Sequence, residues 1–269
     1  MKRFRWSVIP LLAIAATLLA GCTSNAIGPD PDVRQVLAPT GKLRVGVYLG
    51  SPTSMIRDPA SGETKGVALD LGRELAKRLG VPFEPVTYPR LAEVLEALKS
   101  GQVDFTVTNA TAVRTKIVDF MPPLLGLELG YLVLSGSAVS TPADVDRPGI
   151  RVGVSQGSSS QGVLTREFKH AQVVPAPTIK AAMEMLSQHQ VDAFAINKSI
   201  LFEMSDSLPN SRVLDGRWGL EHMAIAIPKG RDQGMAYLRS FAEEVTADGV
   251  VTRAAERAGL RGAVKSESR

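Results

Sequence analysis

From residue 43 onward, short apolar runs closed by glycine alternate with stretches whose apolar residues recur at helical spacing. KLRVGVYL alternates apolar residues at 43, 45 and 47 and ends at Gly50-Ser51-Pro52, as a strand leaving a sheet does. A hairpin carrying SGETKG is expected next. ALDLGRELAKRLG then places Leu71, Leu75 and Leu79 on one face, with Glu74 and Arg78 as an i,i+4 pair and Gly80 as the stop, which predicts an amphipathic helix. The strand VPFEPVTY follows. In LAEVLEALKSG, Leu91, Val94, Leu95 and Leu98 give a second helix ending at Gly101, and VDFTVTN gives the next strand.

The second half repeats this grammar. GIRVGVSQGS reads as strand and loop, SQGVLTREFKH as helix, AQVVPA as strand, IKAAMEMLSQHQ as helix and VDAFAIN as strand. RVGVSQGS matches the earlier RVGVYLGS, and VDAFAIN matches VDFTVTN at Val103, Asp104 and Asn109 against Val191, Asp192 and Asn197. Two matched pairs in the same order argue for two lobes. Strands alternating with helices imply an α/β fold with mainly parallel sheets, which hold ligands at the carboxyl ends of their strands. Gly50-Ser51, Asn109, Gly157-Ser158 and Asn197 sit at those ends.

GLELGYLVLSGS at 126–137 and GLEHMAIAIPKG at 219–230 are similar apolar stretches flanking the second repeat, and they read as two crossings of a hinge. The expected organisation is a first lobe over 41–130, a second over 131–221, a return to the first over 222–262 and a tail at 263–269. Leu238, Phe241, Ala242 and Val245 give the returning segment a helix with an apolar face.

The chain begins MKRFRWSVIPLLAIAATLLAGC, in which a basic start precedes an apolar run too short to span a bilayer and then small residues before Cys22. Residues 1–21 read as a secretory signal. LAGC resembles the bacterial lipobox, so cleavage before Cys22 and acylation of its sulfur are expected, and Cys22 is the only cysteine. Residues 22–40, rich in Pro, Asp and small residues, read as a lipid-anchored linker. Removing residues 1–21 leaves 28 basic against 27 acidic residues and no basic tract, which excludes nucleic acid as an expected partner.

The ordered set LRVGV, KGVALDLGRELAKRLGV, LEALKSGQVDFTVTNATAVRTKIVDF, GIRVGVSQGSS, VDAFAIN and AIAIPKG resembles the bacterial extracellular solute-binding proteins of family 3 over about residues 41 to 262. The resemblance implies the two-lobed periplasmic-binding-protein type II fold with a two-strand hinge. It also implies a monomeric receptor on the periplasmic or extracellular face, membrane-anchored here through lipid, which closes on a small ligand and hands it to the permease of an ABC importer. In the family a motif after the VD strand grips the ligand's carboxylate, and this chain offers Thr108, Asn109, Thr111 and Arg114 there. Arg114 is the expected anchor, because a guanidinium forks onto a carboxylate and stays charged. The second lobe would add Ser158, Ser159 and the amide after Gly157, with Asn197 and Ser51 completing the cleft.

Two positions depart from the family. Amino-acid binders place an aspartate against the ligand's ammonium where this chain has Asn197, and an aromatic shelf near Ser51, where only Tyr48 is at hand. A ligand bearing a carboxylate or similar anion, without an obligatory ammonium, fits these residues at least as well. Arg90 is a further candidate anion contact.

Other chemistries find less support. Gly157 and Gly162 enclose four residues, which breaks the G-x-S-x-G spacing of a hydrolase elbow, and the loop lacks the G-K-[ST] ending of a nucleotide loop. Three scattered histidines give no metal-ligand spacing, and no cofactor is expected. No enzyme activity is expected either. The alternatives kept open are an enzyme on the same fold, of the cyclohexadienyl dehydratase kind, with Glu128 and Glu221 as the carboxylates to watch, and a ligand-sensing receptor that does not transport.

Overall fold

The computed structural model describes Met1 and residues 31–58 and 60–265. The expected leader beyond Met1, Cys22 and the first part of the linker lie outside these residues. The chain opens with α1 (Pro31–Leu37) and β1 (Leu43–Tyr48), then a small hairpin of β2 (Ile56–Arg57) and β3 (Thr64–Lys65). α2 (Val67–Leu79), β4 (Phe83–Tyr88), α3 (Leu91–Lys99) and β5 (Thr106–Asn109) follow. β1 pairs in parallel with β4 and meets the approach to β5 through a parallel bridge from Val45 to Phe105. Gly80 ends α2 in the left-handed conformation its missing Cβ permits.

A short β6 (Val118–Phe120) leads into β7 (Leu125–Leu134), which carries the chain across to the second lobe. There β8 (Arg151–Ser155), α4 (Ser159–Glu167), β9 (Gln172–Ala176), α5 (Ile179–Ser187) and β10 (Ala193–Asn197) repeat the order of the first. β8 lies between β9 and β10, parallel to both, as β1 lies between β4 and β5. α6 (Lys198–Ser207) and β11 (Ser211–Val213) precede β12 (Gly219–Pro228), which returns antiparallel to β7 with Gly219 opposite Leu129 and Met223 opposite Leu125. These are the two hinge crossings expected from the sequence. α7 (Asp232–Ala247) and α8 (Val250–Arg257) then pack back on the first lobe, burying Leu238, Phe241, Ala242 and Val245 against β1 and α2 residues such as Val45 and Leu75. Separate apolar clusters fill the two lobes, with Leu127 in the first and Tyr131 in the second. Among the described residues no helix is long and apolar enough to cross a membrane.

The repeated VD pair has a physical cause. Asp104 accepts the backbone N–H of Arg44 at 2.9 Å and its Nε and Nη2 at 2.8 Å, while Nη2 also reaches the Gly101 carbonyl. Asp192 does the same for Arg151, at 2.8, 3.1 and 2.9 Å, with Nη2 reaching the His189 carbonyl. Each aspartate therefore clamps the arginine that opens the first strand of its lobe. The first clamp is larger, because the Arg231 guanidinium also reaches Asp104, at 2.6 Å, and the Leu37 carbonyl.

Two stretches differ from expectation. The linker expected over 22–40 contains α1, which packs on α7 with Leu37 fully buried. Val33, Val36 and Leu37 share one face, and at Gly234 a Cβ would stand 2.5 Å from the Leu37 side chain, so the glycine is what admits the helix. The tail expected over 263–269 begins as β13 (Ala263–Val264), antiparallel to the hinge strand β7 at Leu127 and Gly126. Just before it, Arg261 pairs with Asp206 and Glu203 on α6 of the second lobe. A segment arriving from the first lobe is thus fastened to both the hinge and the second lobe.

Candidate ligand-binding cleft

The carboxyl ends of β1, β5, β8 and β10 converge between the lobes, beside the hinge strand β12. Arg114 lies in a short 3-10 turn after β5 and is 5% exposed. Its Nη1 donates to Thr108 Oγ1 at 3.1 Å and to the Asn109 carbonyl at 3.0 Å, and its backbone N–H donates to Thr111 Oγ1 at 3.3 Å. Thr108 and Asn109 thus aim the guanidinium, and Thr111 holds its turn. Burial pulls the Arg114 pKa down, and the nearby Glu221 and Tyr48 draw it back up. Arginine remains charged throughout any accessible range. Its Nη2 is buried without a hydrogen-bond partner among the described residues. A buried cationic donor left this way is costly unless something anionic meets it.

Glu221 is the carboxylate at the centre of the cleft. From β12 it accepts Ser159 Oγ at 2.6 Å and Asn109 Nδ2 at 3.3 Å on one oxygen, and Asn197 Nδ2 at 3.0 Å on the other. Those partners come from both lobes, and Asn109 and Ser159 also meet directly at 3.3 Å. The orientation of each amide is fixed by its other end. Asn109 Oδ1 accepts the His222 backbone N–H, and Asn197 Oδ1 caps α6 by accepting the Ile200 N–H, so both NH2 groups are turned to Glu221.

The serine loop has a different occupation from the one expected. Ser158 caps α4 by accepting the Gln161 N–H, and the Gln161 side chain reaches back to the Gly157 N–H at 2.7 Å. The amide after Gly157 donates to the Ser155 carbonyl. S-x-x-Q before a helix is the spacing of a capping box, and that signal was present in the sequence. Ser51 is fully buried, its hydroxyl 2.9 Å from that of Thr53. The loop around it is held by α2, whose first N–H groups donate to the Pro52 and Thr53 carbonyls, so this helix end is not an anion site. Of the expected contacts, the structure brings Thr108, Asn109, Arg114, Ser159 and Asn197 into one connected network, while Ser158 caps α4 and lines the adjoining cavity and Ser51 holds its own loop.

Beside this network lies a cavity of about 40 Å³ lined in part by Tyr48, Arg90, Ser155, Ile179 and Ile196. Burial pushes the Tyr48 phenol up, Ser51 and Arg114 draw it down, and Glu221 raises it. Arg90 pairs with Glu93 at 3.0 Å, yet its Nε, like Ser155 Oγ, is buried without a partner among the described residues. Glu128 faces elsewhere, paired with Lys198 and Arg217. No group of three or more His, Cys, Asp or Glu among the described residues is placed to hold a metal.

The lobes meet closely at Gly157, where the backbone has φ +75 and an added Cβ would stand 2.8 Å from Ala92 Cβ on α3. Gly157→Ala is expected to hold the lobes apart and weaken ligand about tenfold, the effect of roughly 1–2 kcal/mol of overpacking and backbone strain. Calorimetry reads the affinity, and a melt of the ligand-free protein reads the backbone cost separately.

A two-lobed α/β fold joined by two antiparallel strands, with a buried cation and carboxylate where the lobes meet, defines a hinged small-ligand binding fold. The match to the model for bacterial extracellular solute-binding proteins, family 3, spans residues 43–259, and the chain belongs to that family of extracytoplasmic proteins. It is 24% identical over 261 residues to the ABC transporter glutamine-binding protein GlnH of Bacillus subtilis, covering 92% of this chain and 93% of that one. A membrane-bound lytic murein transglycosylase F of Idiomarina loihiensis is also 24% identical, over 90% of this chain and 54% of its own length. Among solved structures, the putative binding component of an ABC transporter from Wolinella succinogenes, complexed with lysine, superposes with a TM-score of 0.71 at 25% identity, covering 81% of this chain and 95% of that one.

Proposed function

We propose that the protein is a lipid-anchored extracytoplasmic receptor, held at the membrane through Cys22, that captures a small carboxylate-bearing ligand and delivers it to an ABC importer. The observation that carries this reading is Arg114, buried where the lobes meet with one guanidinium nitrogen unpartnered among the described residues. A ligand carboxylate on Nη2 satisfies that donor. Closure then brings Ser159 and Asn197 of the second lobe onto the first, and the closed form is what the importer recognises. Membership of the family and the binding named for the glutamine and lysine relatives support it.

A thermal-shift screen of the purified protein against amino acids, keto acids and other small anions tests the reading. Ligand at about 100 Kd adds about 2.7 kcal/mol, expected to raise the melting point by roughly 5–10 °C. A screen in which no small carboxylate moves the melt defeats it, and turnover of a hit in place of stable binding favours an enzyme.

A further inference from the structure

We infer that the cavity bounded by Tyr48, Arg90 and Ser155 receives the far end of the ligand, and that this end is a small oxygen acceptor, a carboxylate or carboxamide, rather than an ammonium or an alkyl group. This rests on the reading of the cleft as a carboxylate receptor and narrows it to ligands with a second, oxygen-bearing end.

Three observations carry the assignment. First, the cavity is walled by both lobes, with Tyr48 and Arg90 from the first and Ser155, Thr178 and Ile196 from the second. Its volume of about 40 Å³ holds roughly three water-sized positions, enough for a carboxyl or amide group and too little for a ring. Secondly, two of the lining residues carry a buried polar atom without a hydrogen-bond partner among the described residues, Arg90 Nε and Ser155 Oγ. Glu93 holds the end of the Arg90 guanidinium at 3.0 Å and leaves Nε unmet. A guanidinium donates and never accepts, so Nε calls for an acceptor, while a hydroxyl takes either role. An ammonium would set donor against donor, and an alkyl end would leave both atoms unmet. Thirdly, the cavity lies against helix starts. Arg90, Ser158 and Thr178 stand at the N-caps of α3, α4 and α5, whose positive ends favour an electron-rich group. Ser158 and Thr178 satisfy their own helices by accepting the Gln161 and Ala181 N–H groups. Arg90 has no acceptor to offer, and α3 has no side-chain cap. A donor-only residue at that cap stands where a ligand oxygen completes the site. Among the described residues no aspartate or glutamate lines the cavity to receive a cation.

The test uses carboxylates that differ only at the far end, measured by calorimetry. One set is pentanoate, 5-aminopentanoate, glutarate and glutaramate; a second is norvaline, ornithine, glutamate and glutamine; the four-carbon counterparts of both complete it. In the wild type the tightest ligand is expected to end in oxygen, to bind at least about tenfold more tightly than its methyl-ended counterpart, and to leave the ammonium-ended one without measurable binding. The carboxylate and carboxamide arms tell a charged end from a neutral one. Arg90→Met should lose about tenfold for the oxygen-ended ligand and hold or improve the methyl-ended one, and Ser155→Ala should act in the same direction. Arg90→Ser supplies α3 with an acceptor of its own. It is expected to raise the melting point of the protein without ligand by roughly 2–4 °C while losing the preference for the oxygen end.

Equal losses for all ligands in Arg90→Met would make Arg90 a support for α3 and overturn the inference. So would a wild type that binds the methyl-ended or ammonium-ended ligands as tightly, or a thermal screen whose only binders end in a ring or an alkyl chain. In each of these cases Arg114→Ala still removes whatever carboxylate binds, which leaves the receptor reading standing. If no carboxylate of these sets or of the thermal screen binds, both fall.

Discussion

Arg114→Ala is expected to abolish measurable binding of any carboxylate ligand, a loss of at least about 100-fold, or about 2.7 kcal/mol. The magnitude follows from burial. At 5% exposure, with Thr108 and the Asn109 carbonyl occupying Nη1, the guanidinium offers a buried Nη2 without a partner among the described residues. Truncation removes that donor and leaves Glu221 buried without its neighbouring cation, so the substitution costs more than one hydrogen bond. Arg114→Lys separates charge from geometry. A lysine keeps the charge but cannot fork between the Thr108 and Asn109 acceptors and a ligand at the same time, and an intermediate affinity is expected. Calorimetry with the strongest ligand from the thermal screen checks both variants, and Arg114→Ala binding at wild-type affinity would remove the anchor from the proposed mechanism.

The second large effect is on stability. Asp104→Ala is expected to cost about 3–5 kcal/mol, because it strands two guanidinium groups whose shared partner is fully buried. For a chain of this size that lowers the melting point by roughly 10 °C or more. The twin substitution Asp192→Ala should cost about 1 kcal/mol or less, since Arg151 and Asp192 have side chains 38% and 28% exposed and no second guanidinium joins them among the described residues. Parallel denaturant melts decide the matter. Equal losses would mean that the clamps matter for strand entry alone and that Arg231 adds nothing. The asymmetry also places stability in the lobe to which α1 and α7 are tied.

The repeated lobe plan was legible because its signals are local. Val45 and Val47 alternate within one strand, Leu71, Leu75 and Leu79 mark one helix face, and Gly80 stops that helix, so each element announces itself within a dozen residues. Matching RVGV and VD pairs then gave the topology. α1 was missed because Val33, Val36 and Leu37 make too short a face to stand alone, and the partner that admits them, Gly234, lies far along the chain. α6 was missed because KSILFEMSDS carries polar residues on most of its surface, and only its packing on β7, β10 and β11 shows what it covers.

The site was legible in part for the same reason. Arg114 and Thr108 are six residues apart and follow from one motif. Glu221 was visible as a hinge carboxylate, but its partners Asn109 and Ser159 are 112 and 62 residues away, and no local pattern places them around it. Asn197 read as a lost aspartate. In the structure it is the amide whose orientation is set by a helix cap and directed at a carboxylate on another strand. Ser158, expected as a ligand contact, also caps α4 through its oxygen and lines the cavity beside the network, so the S-x-x-Q spacing carried a helix start as well as a cleft position.

The strap formed by Arg261 and β13 bears on affinity without touching the cleft. Only the fraction of molecules whose lobes are already together binds ligand at full strength, and the observed dissociation constant is the intrinsic one divided by that fraction. Because residues 261–264 join the hinge strand β7 to α6 of the second lobe, they bias the fraction from outside the binding surface. Substitutions in that strap adjust how tightly the receptor holds its ligand while leaving unchanged which ligand it holds.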